Sequence, residues 1–150
     1  RELMMATDPI DMPSVLASAG NTAWQGMPRG TRMGHLHLHV GDLGKARAFY
    51  ADAMGFTRMV WRYPGALFLG AGGYHHHLGV NTWAAGAGSP GPLDARLAEW
   101  QVVLPTAADV QSVLTQVQDA GFRADATEQV ITDPWGSTLR LLAESAAPSA

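Results

Sequence analysis

All six histidines of this 150-residue chain fall into two clusters, His35/His37/His39 and His75/His76/His77. Imidazoles grouped in this way can ligate a transition-metal ion, move protons near neutral pH, or share hydrogen bonds inside a core. Spacing narrows the choice. His35-Leu36-His37-Leu38-His39-Val40 alternates strictly, the period of a strand. Strand residues two apart face one side at a separation of about 6.6 Å. His35 and His37 can therefore serve neighbouring points on one face. His35 and His39, roughly 13 Å apart, cannot hold the same ion. Continued as a strand, the second cluster puts His75 and His77 on one face and His76 on the other. On that pattern His39 and His76 are structural or surface residues, and His37 has an ordinary alternative as a hydrogen-bonded core histidine.

Other chemistries are excluded. The chain has no cysteine, so disulfides, iron–sulfur clusters, thiolate zinc sites and cysteine nucleophiles are ruled out. Gly70-Ala71-Gly72-Gly73 lacks the following Gly-Lys-Ser/Thr and helix of a phosphate loop, and no serine lies in a Gly-x-Ser-x-Gly elbow. Asp133-Pro134-Trp135-Gly136 reads as a turn and not as a calcium loop.

The elements that must carry the histidines follow a repeated order. Residues 1–33 read as a lead-in or linker, with Asp11 capping a short helix that Gly20 ends. From Gly34 comes a strand, then a helix capped by Asp42 whose Leu43, Ala46, Phe49, Tyr50 and Ala53 share a face. Gly55 stops that helix. Three strand-like runs follow, Phe56–Tyr63, Ala66–Leu69 and His75–Trp83. After a Gly/Pro-rich stretch (Gly86–Pro92) the order recurs: strand Leu97–Leu104, a helix from Pro105-Thr106 through Ala120, then strands Phe122–Ala126, Glu128–Thr132 and Thr138–Ala143. Glu99 falls on His35 and Thr106 on Asp42 at an offset of 64, Gly121-Phe122 on Gly55-Phe56 at 66, and Arg140 on His77 at 63. Near-constant spacing of this kind marks an internal duplication. The expected fold is α+β, two βαβββ modules (34–85 and 97–143) within one unit over 34–143, with a tail at 144–150.

Composition fits one domain with a proper core: 47% apolar, 15% charged, five Trp and a net charge of −3. The ten basic residues are scattered, with Lys45 the single lysine, so no basic stripe for nucleic acid is present. No apolar run approaches the roughly 18 residues of a membrane span. The absence of cysteine and of a visible signal peptide leads to a cytoplasmic expectation.

Gly34-His35-Leu36-His37-Leu38-His39-Val40-Gly41-Asp42-Leu43, with Ala48-Phe49-Tyr50 and Met54-Gly55-Phe56, resembles the opening module of the vicinal oxygen chelate superfamily. That superfamily includes glyoxalase I, extradiol dioxygenases, and the bleomycin- and fosfomycin-resistance proteins. Ala71-Gly72-Gly73-Tyr74-His75-His76-His77-Leu78-Gly79-Val80-Asn81-Thr82-Trp83 resembles its catechol-2,3-dioxygenase-like branch. The resemblance implies two βαβββ modules curved as a half-barrel around one central cavity. It also implies a further module pair ahead of this one in many members, so the chain would be a C-terminal half.

In that superfamily metal ligands come from the first and fourth strands of each module, which the resemblance carries over to His35, His77, Glu99 and Arg140. Arginine has no lone pair to give, so a standard extradiol triad is absent. His35, His77 and Glu99 remain as the implied ligands of a divalent ion, a set suited to Fe, Mn, Ni or Zn. Glu99 and His37 are the candidates for moving protons. Arg140 either pairs with Glu99 in a metal-free cup or anchors an anionic substrate. Strand parity adds Asn81 and Trp83 on the His77 face and Gln101 on the Glu99 face as substrate-binding candidates. Trp100, off the Glu99 face, is expected to be core. The implied function is a metal-dependent enzyme of dioxygenase or glyoxalase (lyase) type acting on the vicinal oxygens of a small substrate. The alternatives are a metal-free binding or resistance protein, or a non-catalytic half of a longer dioxygenase-like protein. The expected partner is a small molecule, with a homodimer or packing against a preceding half as the protein contact.

Overall fold

The alternating run around His37 folds as strand β1 (Leu36–His39), and the chain returns to it only after three further elements. A computed structural model describes residues 3, 6, 8–88, 90–91 and 93–144; the expected tail beyond Glu144 lies outside the described residues. Asp42 caps helix α2 (Leu43–Ala46) by accepting from Lys45 N at 2.7 Å, and the helix continues as a π-helical stretch, Arg47–Ala53. The wider turn, closed by Met54 N donating to Phe49 O, buries Phe49 and Tyr50 side by side. Then come β2 (Thr57–Arg58), β3 (Ala66–Gly70) and β4 (Leu78–Asn81). The second module repeats the plan with β5 (Glu99–Leu104), α3 (Ala107–Asp119), β6 (Arg123–Asp125), β7 (Val130–Thr132) and β8 (Thr138–Ala143). Its helix opens with a capping box in which Thr106 and Asp109 each bond the other's backbone N–H.

Two four-stranded sheets result, ordered β1-β4-β3-β2 and β5-β8-β7-β6. In each, the first and last strands of the module pair in parallel and the remaining pairs are antiparallel. The identical order is the structural form of the offset read in the sequence, and the sheets do not close into a barrel. One core spans both modules: Phe49, Tyr50, Leu69, Leu78 and Val80 of the first with Trp100, Leu114, Ile131, Leu139 and Leu141 of the second. Trp100 is thus core, as its position off the Glu99 face requires.

A carboxylate ties the modules together. Asp133 is buried and accepts from Tyr50 Oη at 2.6 Å through one oxygen. Its other oxygen accepts from Trp135 N at 2.9 Å and Ser137 N at 2.7 Å. The segment Asp133-Pro134-Trp135-Gly136 is therefore a turn as expected and also a clamp on the other module's helix.

The structure differs from the sequence expectation at two places. The run Phe56–Tyr63 yields only the two-residue β2, because the Arg58 side chain turns forward to the carbonyls of Val60 and Trp61 and holds the chain in a loop. The second histidine cluster is not in a strand: Gly72 and Gly73 turn with φ of 58° and 78°, and β4 begins only at Leu78. The lead-in contains the expected helix α1 (Met12–Ala19), capped by Asp11, and none of its residues is buried. No helix among the described residues is long and apolar enough to cross a membrane.

Candidate functional site

Leu36, Leu38, Leu78 and Val80 turn to the core, so the alternate residues of β1 and β4 share the opposite face. There His37 lies across from Gly79, and His39 across from Asn81. His39 Nδ1 donates to Asn81 Oδ1 at 2.8 Å, and the same oxygen accepts from Trp83 N at 3.2 Å. Asn81 is buried and committed to holding this end of the sheet, while the Trp83 ring is largely exposed. Gly79 has a different use. A Cβ placed on it would lie 2.8 Å from His37 Cε1 and 2.9 Å from Nδ1, so the His37 ring rests on bare backbone.

His76 departs from the sequence expectation. It does not face away from the other histidines; it is 3% exposed, and its ring lies 4.5 Å from that of His35 and 5.5 Å from that of His37. The alternation that would have turned it outward holds only within a strand, and the chain at 75–77 is still leaving the Gly72-Gly73 turn. His37 Nε2 and His76 Nε2 are 3.4 Å apart, and His76 Nδ1 is buried with no hydrogen-bond partner among the described residues. His35, His37 and His76 bring one nitrogen each within 4.8 Å of one another. His77 stands outside this group. Its ring packs against Tyr74 at 4.6 Å, and its Nδ1 accepts from Ala71 N at 3.2 Å.

Burial, reinforced by the neighbouring His35, His75, His37 and His77, pushes the His76 imidazole down to about 4. Burial and His35 lower His37 as well. Both rings are thereby held neutral at physiological pH, with lone pairs available. An unfolded histidine takes a proton near 6.5, while folded His76 resists it until about pH 4. The metal-free protein is therefore expected to keep full stability above about pH 6.5 and to lose it progressively as pH falls towards 4, by on the order of 1–3 kcal/mol. Urea midpoints at pH 7.5, 5.5 and 4.5 check this, and His76→Gln should flatten the profile. A profile that is already flat in the parent chain contradicts it.

On the second module, Glu99, Gln101 and Val103 alternate away from the core, and Arg140 of β8 stands beside Gln101. Arg140 grips Glu99 with both arms of its fork, Nε to Oε1 at 3.0 Å and Nη2 to Oε2 at 2.9 Å. Its Nη1 donates to Glu128 O at 2.9 Å. Hydrogen bonding and the charge of Glu99 raise the Arg140 pKa further. Of the two roles open to Arg140 in the sequence, the structure contains the ion pair. Arg140→Ala is expected to lower the thermal midpoint and leave Glu99 unpaired. Arg140→Lys should recover only part of the loss, because an ammonium cannot reproduce the fork. Melting curves of the three proteins would overturn this if lysine restores the parent value.

His35, His77, Glu99 and Gln101 line one cavity of about 890 Å³, with Leu36, Met54, Phe56 and Val103 among its apolar walls. Arg140 lines a neighbouring hollow of about 510 Å³ with Arg123, Glu128 and Thr138. The structure thus brings together His35, His77, Glu99 and Gln101, puts Arg140 in the second hollow, and leaves Asn81 and Trp83, expected at the substrate, at the far end of β4 by His39 and outside the cavity wall. The three-imidazole group adjoins the cavity through His35. Sequence reasoning missed His76 and Gly79. The turn glycines before the first, and a glycine inside a strand for the second, were the available signals.

A superfold of paired βαβββ modules with histidines at one mouth defines the class. A family model for the Glyoxalase/Bleomycin resistance protein/Dioxygenase superfamily matches residues 32–141, and the chain belongs to that superfamily. It is 42% identical over 128 residues to a catechol-2,3-dioxygenase of Bacillus subtilis (strain 168), covering 83% of this chain and 45% of the relative. The chain therefore spans less than half of that relative's length. Among solved structures, a glyoxalase/dioxygenase from Nostoc punctiforme superposes with a TM-score of 0.63 at 12% identity, covering 81% of this chain and 98% of that one. A lactoylglutathione lyase from Agrobacterium tumefaciens gives 0.58 at 18% identity, covering 82% and 100%. At such identities these two establish the fold alone.

Proposed function

We propose that this module pair carries the metal centre and substrate cavity of a dioxygenase- or glyoxalase-like enzyme acting on a small molecule with adjacent oxygens. The observation that carries this reading is the position of His35, which belongs both to the three-imidazole group and to the cavity wall. The donor chemistry fits: neutral imidazoles suit Fe, Ni and Zn, and a carboxylate, Glu99, lies on the same cavity wall. His35 is common to the set His35/His77/Glu99 and to the set His35/His37/His76. A divalent ion held there would supply Lewis acidity and a template for two neighbouring oxygens. The chain's own residues do the rest. Leu36, Met54, Phe56 and Val103 give a substrate ring an apolar wall to lie against, and Gln101 offers a hydrogen bond to a substrate oxygen. Glu99 can take a proton once an anionic ligand competes for Arg140. The similarity to a catechol-2,3-dioxygenase makes catechols the first substrates to try.

One observation favours the metal-free binding reading: Glu99 is already neutralised by a bidentate arginine. Elemental analysis of protein purified without a histidine tag, together with oxygen uptake on catechols with and without chelator, separates the two. Chelator-sensitive uptake supports the enzyme. Catechol binding with no bound metal and no uptake supports the binding protein.

A further inference from the structure

We propose that His35, His37 and His76 form an all-imidazole site for one first-row divalent ion, such as zinc, cobalt or nickel, without Glu99 or His77. The proposal deepens the metal-dependent reading above and rests on it for the cavity the ion would serve.

Geometry is the first support. Two nitrogens each about 2.0–2.1 Å from a tetrahedral ion are about 3.3–3.4 Å apart. His37 Nε2 and His76 Nε2 stand 3.4 Å apart, a long separation for a hydrogen bond and the right one for two ligands of one ion. The third nitrogen lies within the same 4.8 Å group.

The second support is the cost of His76 without a ligand. A buried imidazole normally spends both nitrogens on partners. His76 faces His35, His37, His75 and Phe68, and no acidic residue bonds it among the described residues. Its Nε2, the nitrogen turned to His37, has no other hydrogen-bond partner among the described residues. Such a ring gains most from a cation that accepts the lone pair of Nε2.

The third support is that the rival donors are occupied. Glu99 would have to leave both arms of Arg140, and His77 already accepts from Ala71 N. Gly79 completes the seat, because only bare backbone there lets the His37 ring lie against β4. Three neutral imidazoles select borderline transition metals over magnesium or calcium, which require oxygen donors. They also leave the full charge of the ion uncompensated, so its open positions favour a deprotonated, anionic oxygen ligand.

Cobalt(II) titration of the untagged apo-protein tests this by its visible spectrum and by calorimetry, independently of turnover. One ion per chain is expected. His37→Ala and His76→Ala should each weaken binding by about 100-fold, one ligand's share of a structural site. Glu99→Gln and His77→Ala should leave affinity unchanged. X-ray absorption on the cobalt-loaded parent should count three imidazoles, a readout that stands if His76→Ala fails to fold. Two imidazoles plus a carboxylate, or affinity lost with Glu99→Gln and kept with His37→Ala, overturns the proposal and leaves the enzyme reading intact. A parent chain that binds no ion overturns both. Three imidazoles on cobalt with no catechol turnover supports this site while removing the activity assigned above.

Discussion

Asp133→Ala is expected to destabilise the protein by about 3–5 kcal/mol, since hydrogen bonds to a charged group contribute roughly 1.5–3 kcal/mol each. Three donors converge on this buried carboxylate: Tyr50 Oη, Trp135 N and Ser137 N. Alanine would strand the Tyr50 hydroxyl inside the core, where that side chain is fully buried. It would also free the turn that presents Trp135. Tyr50→Phe should cost less, about 1–2 kcal/mol, because the carboxylate keeps its two backbone donors. The double variant should cost less than the sum of the two, since each removes the same bond. Urea unfolding gives all three values. A loss below about 1 kcal/mol for Asp133→Ala would show that the inter-module core holds without this clamp.

Gly79→Ala is expected to move stability and metal affinity in opposite directions. The φ of Gly79 is not in the left-handed region, so alanine suits its backbone and should leave stability level or raise it by about 0.4–1 kcal/mol. The new methyl would meet three atoms of the His37 ring at 2.8–3.0 Å. The ring is the movable party, being exposed on one side, and it must lift away from β4. Its Nε2 then leaves the 3.4 Å position opposite His76. Displacing a supporting position of a metal site typically weakens binding about 10–100-fold. Cobalt titration beside urea unfolding reads both effects. Unchanged cobalt affinity in a well-folded variant would place His37 outside the ligand set.

The fold was legible because its signals are local. Strict alternation at His35–Val40, a looser alternation over Leu97–Leu104, caps at Asp42 and Thr106, and stop glycines at 55 and 121 each act within a few residues. Their repetition at a fixed offset marks the duplicated plan that the two sheets display. The site was legible only where strand alternation applied. Alternation set His35 and His37 on one face of the first strand and Asn81 on the matching face of the fourth, and the β1–β4 register joins those faces. It misplaced His76 because alternation says nothing about where a strand begins, and the Gly72-Gly73 turn delays β4 to Leu78. The Glu99–Arg140 pair was one of two arrangements the residue types allowed, and their positions across β5 and β8 selected it. The reach of Asp133 to Tyr50 had no local sign, since it depends on how two helices and a turn meet across a shared core.

The parallel pairing of β1 with β4 bears on the order in which the molecule is assembled. Leu36 meets Leu78 only after the intervening helix and hairpin strands are in place, so this contact closes the longest loop of its module. Contacts of such sequence separation pay their chain entropy late in folding. His37 and His76, 39 residues apart in the sequence, meet only when that contact forms. A ligand that bridges them has little to grip before the folding barrier is crossed. Its stabilisation accordingly belongs to the unfolding rate: the loaded protein should come apart more slowly, while folding proceeds at nearly the speed of the unloaded chain.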